Sequence, residues 1–125
     1  MLPFLSPPWL EQLSAVAGGQ EVGSDAVVVQ QLVTGGPDGD IAFVLEVDQS
    51  HLRARPGRDP KAVLTLTEAW ETAVLIHRGE LTVHAAFRAG LVKVRGDVRP
   101  LVAVAAGLAP LGPAAAALRE RTSDA

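Results

Sequence analysis

The chain opens on an amphipathic pattern. Trp9, Leu10, Leu13, Val16 and Ala17 recur at helical spacing, Ser6 stands at an N-cap position with Pro7 as first helical residue, and Gly18-Gly19 stops the run. From Ala26 the period shortens. Val-rich Ala26–Thr34 predicts a strand, Gly35-Gly36-Pro37-Asp38-Gly39 a turn, and Ile41–Val47 the second arm of a hairpin. In that arm Ile41, Phe43, Leu45 and Val47 share one face, with Ala42, Val44 and Glu46 on the other. His51–Arg55 alternates with Leu52 and Ala54 inward, and Pro56-Gly57-Arg58-Asp59-Pro60 ends it. A fourth strand sets Ala62, Leu64 and Leu66 opposite Val63 and Thr65. Val27, Val29, Val33 and Val63 are assigned to the second face of the sheet, which is then more apolar than solvent requires and reads as a homodimer interface.

At Thr67 the period changes from two to about 3.6. Thr67 reads as a cap, Glu68 and Glu71 suit the positive end of the helix dipole, and Trp70, Ala73, Val74 and His77 form a stripe before Gly79. A shorter helix from Thr82 carries Val83, Ala86 and Phe87 and ends at Gly90. Val92 and Val94 then alternate with Lys93 and Arg95 in a fifth strand that stops at Gly96-Asp97. Asp97 caps an apolar tail in which Leu101, Val104, Ala105 and Leu108 share a face, and Gly107, Pro110, Gly112 and Pro113 interrupt it before Ala114–Arg121 resumes. Such a tail fits a movable cover over a cavity and equally a loosely packed terminal helix. The succession helix, four strands, two helices, strand, helix predicts an α+β fold, a five-stranded mainly antiparallel sheet covered on one face by helices. One domain is expected over residues 1–125: an N-terminal helix in 1–20, sheet and covering helices in 26–96, and an interrupted helical cover in 97–125.

Composition narrows the chemistry. With 125 residues, 48% of them apolar, and no cysteine, the chain can bury a core without disulfides or metal. Three Phe, two Trp and no Tyr give an aliphatic core and leave little for a wall of rings that stacks bases or sugars. The net charge of −3 hides a split: residues 1–52 carry seven acids and no Lys or Arg, whereas residues 53–100 carry nine bases against five acids. The acidic total argues against a nucleic-acid partner. Arg53, Arg55, Arg58 and Lys61 gather about one strand and loop, and Arg88, Lys93, Arg95 and Arg99 about the fifth strand. They read as edge protection or as a transient contact with an anionic membrane surface. With neither a basic, apolar leader nor an unbroken apolar run of spanning length, a soluble cytoplasmic protein is expected.

No reaction centre emerges. His77 and His84 stand on either side of a helix stop without carboxylates at ligand spacing, and Asp38-Gly39-Asp40 lacks the remaining ligands of a calcium loop. Ser50 and His51, adjacent on a strand, point to opposite faces. No nucleophile elbow, dinucleotide fingerprint or P-loop occurs. The expectation is no catalytic residue, no metal and no cofactor.

From Leu64 to Arg99 the sequence resembles a known family. The runs Leu64-Thr65-Leu66-Thr67-Glu68, Arg78-Gly79-Glu80-Leu81-Thr82, Ala85-Ala86-Phe87-Arg88-Ala89-Gly90 and Val92-Lys93-Val94-Arg95-Gly96-Asp97 look like the sterol carrier protein 2 family. Element order is compatible from Ala26 onward. The resemblance implies an apolar tunnel between sheet and helices that takes sterols, fatty acids or acyl-CoA esters without catalysis. Carried over, the lining would be Phe43, Leu45, Leu64, Leu66, Trp70, Val74, Phe87, Val94, Leu101 and Leu108. The short chain and the proline-broken tail depart from the family pattern. The leading expectation is non-enzymatic binding and intracellular transfer of an apolar ligand. Its rivals are a ligandless dimerisation or scaffold module with a collapsed cavity, and a subunit beside acyl-CoA enzymes whose partner supplies the chemistry.

Overall fold

A two-residue strand, β1 (Leu2–Pro3), turns into helix α1 (Pro7–Val16). The computed structural model describes residues 2–16, 27–47, 52–97 and 116–123. Ser6 Oγ accepts from the Trp9 N–H at 3.4 Å, the cap that its position predicts. Trp9, Leu10, Leu13 and Ser14 form the buried face of α1. Val16, expected on that stripe, is 43% exposed, and Ala17 lies outside the described residues.

The main sheet has the order β4 (Leu52–Pro56), β3 (Gly39–Val47), β2 (Val27–Gly36), β5 (Leu64–Ala69), β6 (Val92–Gly96). Neighbours are antiparallel except β2 and β5, which run parallel because the chain crosses over the sheet between β4 and β5. Helices α2 (Trp70–His77) and α3 (Val83–Arg88) join β5 to β6. Near the C-terminus a short 3-10 turn (Arg119–Arg121) leads into β7 (Thr122–Ser123), which pairs parallel with β1. The α+β architecture is the expected one; the small β1–β7 ladder is an addition.

Register decides which side chains meet. Val29 pairs with both Leu45 and Leu64, Gln31 with both Phe43 and Leu66, and Val33 with Ile41 and Glu68, so these residues share the face under the helices. The assignment of Val27, Val29 and Val33 to the second face is therefore corrected: Val29 is 3% exposed and Val33 is fully buried in the core. A run of consecutive valines carries no phase of its own, and the hairpin register, shifted between Val33 and Gly36, supplies it. Val63 is exposed just before β5, and the residues that do occupy the second face include Val28, Leu32, Ala42 and the fully buried Val44.

A second correction concerns Thr67 and Glu68. They continue β5, Thr67 between Leu32 and Lys93 and Glu68 between Val33 and Val92, and α2 starts only at Trp70. The N-cap falls on Ala69 with no side-chain cap. Ladder bonds on both sides of β5 outweigh the single bond that a threonine cap would give. The α2 stripe is as expected, with Ala73, Val74 and His77 buried. Thr82 Oγ1 caps α3 by accepting from the Ala85 N–H at 3.0 Å. Gly79 ends α2 at φ +78°, and Gly96 leaves β6 at φ +110°, where a Cβ would stand 2.6 Å from the Val63 carbonyl oxygen. The tail stripe of Leu101, Val104, Ala105 and Leu108 lies outside the described residues.

Both sheet edges are guarded. Ser14 Oγ on α1 accepts from the Ala54 N–H at 2.8 Å, and its single proton is shared between the Leu10 and Ala54 carbonyls at 3.0 and 2.9 Å, which docks the helix on edge strand β4. Edge strand β6 instead exposes Lys93 and Arg95. On the face away from the helices, the crossover loop covers β2 and β3. Gln30, buried there, donates to the Phe43 and Gly57 carbonyls at 3.0 and 3.1 Å and accepts from the Asp59 N–H at 3.0 Å. Arg55 bridges Glu46 and Asp59 beside it. The Lys61 N–H and then Arg55 hold the Asp59 carboxyl below its usual range.

Candidate ligand cavity

A cavity of about 220 Å³ lies between the sheet and the helices. Its floor is Val29 and Gln31 of β2, Phe43 and Leu45 of β3, Leu66 and Glu68 of β5 and Val92 of β6. Ala73, Ile76 and His77 of α2, with Val83 and Phe87 of α3, form the roof. Phe4, Leu5, Trp9 and Leu13 close the third side. Val83, 47% exposed, marks the mouth. A second concavity of about 410 Å³, bounded by Leu2, Gln12, Glu120 and Arg121, is larger but open and superficial. Enclosure by apolar walls with a few polar groups makes the first the ligand-site candidate.

Of the residues expected to line a tunnel, Phe43, Leu45, Leu66 and Phe87 do line this cavity. Leu64 and Val74 are buried in the core, and Trp70 and Val94 pack against it partly buried; none of these four is in the lining. Leu101 and Leu108 lie outside the described residues.

The N-terminal wall was not foreseen, because helical periodicity reveals a buried face without revealing its dock. Contacts distant in sequence fix it. Trp9 Nε1 donates to Thr122 Oγ1 at 2.9 Å, Thr122 Oγ1 donates to the Leu118 carbonyl, and Leu118 is fully buried. Arg119 Nε donates to the His77 carbonyl at 2.6 Å, so the same short segment also holds the end of α2. Leu5 adopts φ +62°, a left-handed conformation costing about 1–2 kcal/mol in a residue with a Cβ. Burial of its side chain, 6% exposed, offsets that cost by about 1.5–3 kcal/mol.

The cavity is richer in rings than the composition suggested. All three Phe and one of the two Trp line it, although only 4% of the chain is aromatic. Phe4 meets Trp9 edge-on at 5.0 Å, tilts against Trp70 at 5.3 Å and stacks on His77 at 4.6 Å. Aromatic poverty of a chain does not prevent concentration at one place.

Three polar side chains reach the lining: Gln31, Glu68 and His77. Alternation from Leu64 through Leu66 to Glu68 could have placed Glu68 here, had the strand been carried past Thr67. Burial pushes the Glu68 carboxyl above its ordinary value of 4.5. The folded state therefore holds the proton more tightly than the unfolded chain, and stability present below about pH 4.5 is lost as pH rises through the folded-state value. Glu68→Gln, without ligand, is expected to unfold at a higher temperature than the parent at pH 7, the difference vanishing at pH 4. Thermal melts at the two pH values check this.

No family model matches the sequence, and no curated protein matches it. Solved structures do. A crystal structure of sterol carrier protein 2 superposes with a TM-score of 0.66 at 17% identity, over 90% of this chain and 96% of that one. Palmitated sterol carrier protein 2-like 2 from Aedes aegypti gives 0.57 at 22% identity, over 78% and 87%. An inverting sec-alkylsulfatase from a Pseudomonas species gives 0.50 at 22% identity over 72% of this chain, which spans only 14% of that enzyme. Sheet order, the helices joining β5 to β6 and near-complete mutual coverage agree in assigning this chain the sterol carrier protein 2 fold.

Proposed function

We propose that the protein binds an apolar or amphiphilic molecule of the sterol, fatty acid or acyl-CoA class in this cavity, non-covalently and without catalysis, and carries it between sites. The observation that supports this reading is an apolar cavity between the sheet and the helices, walled by side chains of β2, β3, β5, β6, α1, α2 and α3. An apolar chain entering it would gain about 0.8 kcal/mol for each methylene buried. The palmitated relative of this fold is consistent with such an occupant. Exposed Lys93 and Arg95 on β6, with Arg88 at the end of α3, would face an anionic membrane during loading.

Delipidated protein titrated with a fluorescent fatty acid is expected to show saturable binding of one molecule per chain at micromolar concentration. Absence of saturable binding by a chain with intact circular dichroism would overturn the reading and leave the scaffold alternative.

A further inference from the structure

The polar content of the cavity specifies more than greasiness. Glu68 reaches the lining, in which the described residues include no Lys or Arg, and it makes no hydrogen bond or ion pair among the described residues. Desolvation alone acts on its carboxyl. Phe4, Trp9, Phe43 and Phe87 line the same space. Ring faces attract cations, and a cation beside a desolvated carboxylate offsets the cost of burying its charge. Two independent features of one cavity thus favour the same kind of head group.

We propose that the cavity selects amphiphiles with a cationic nitrogen, long-chain amines, whose ammonium group pairs with Glu68 among the aromatic rings while the alkyl chain fills the apolar remainder. This rests on the cavity being the ligand site. A fatty carboxylate meets the opposite situation. Near Glu68 it adds a like charge in a poorly solvated space, where the described lining offers no Lys or Arg to pair with it.

Three C12 probes separate head group from chain: dodecylamine, 1-dodecanol and dodecanoic acid, each below its micellar concentration, titrated into the delipidated full chain at pH 7. Trp9, in the cavity wall, supplies a fluorescence signal, and calorimetry confirms it. The amine is expected to bind about tenfold or more tighter than the acid. Glu68→Gln and Glu68→Leu are expected to lower amine affinity about tenfold, to raise acid affinity, and to leave 1-dodecanol within about threefold. An amine-to-acid ratio unchanged by both substitutions, or an acid that binds the parent protein as tightly as the amine, overturns the head-group assignment while the lipid reading stands. Failure of all three probes to bind the folded protein overturns both.

Discussion

Replacing Ala73 by Phe is expected to weaken fatty acid binding by more than about a hundredfold while the fold survives. Ala73 is the smallest side chain in the cavity roof, 6% exposed and borne on α2, which packs on β2 and β5. A phenyl group there takes the place of several methylenes of a bound chain. Four lost methylenes at about 0.8 kcal/mol each remove about 3 kcal/mol, a factor of roughly 200 in Kd. The same ring buries apolar surface against the cavity walls, and it replaces Ala in a helix at a propensity cost of only about 0.5 kcal/mol. A73F should therefore unfold in urea at a midpoint equal to or above that of the parent. Titration with the fluorescent fatty acid and urea unfolding measure the two quantities on one preparation. Unchanged affinity in a stable A73F protein would place the ligand elsewhere and remove this cavity from consideration; loss of both affinity and stability would show an overpacked core instead.

Legibility in the sequence varied with whether the information was local. The Ser6 cap, the Thr82 cap, the stop at Gly79 and the α2 stripe depend on residues within one or two turns, and each is found where local chemistry puts it. Thr67 shows the limit. Thr-Glu before an apolar stripe reads as a helix start, yet the strand continues to Ala69 because β2 and β6 both pair with it, and neither neighbour is visible from within that segment. The misplaced boundary hid Glu68, which on a strand points into the cavity and on a helix start would have faced solvent. The phase of β2 was hidden for a related reason: Val27, Val28 and Val29 are equivalent until the hairpin register selects one face. The N-terminal wall required knowledge that Trp9 meets Thr122, a pairing across 113 positions. The aliphatic composition was read correctly for the chain and wrongly for the site, since composition has no spatial coordinate.

Gln30 and Gln31 carry this point to a second strong prediction. The residues are adjacent and identical, and both are nearly buried, but strand alternation sends them to opposite faces. Gln30 holds the crossover loop through the Phe43 and Gly57 carbonyls and the Asp59 N–H, beneath the Arg55 bridge. Gln30→Leu keeps the volume and leaves those three backbone groups without their side-chain partner, at about 1 kcal/mol each and about 3 kcal/mol together. For a domain of this size that lowers Tm by roughly 10–15 °C. Gln31 faces the cavity, and its amide lines that space rather than the loop. Gln31→Leu is therefore expected to shift Tm by no more than a few degrees and to change the relative affinities of polar-headed and apolar ligands. Calorimetric melts of the two variants, with and without fatty acid, provide the comparison. Equal destabilisation by both would mean that the outer loop contributes nothing specific, and that the parallel pairing of β2 with β5 holds the crossover in place without Gln30.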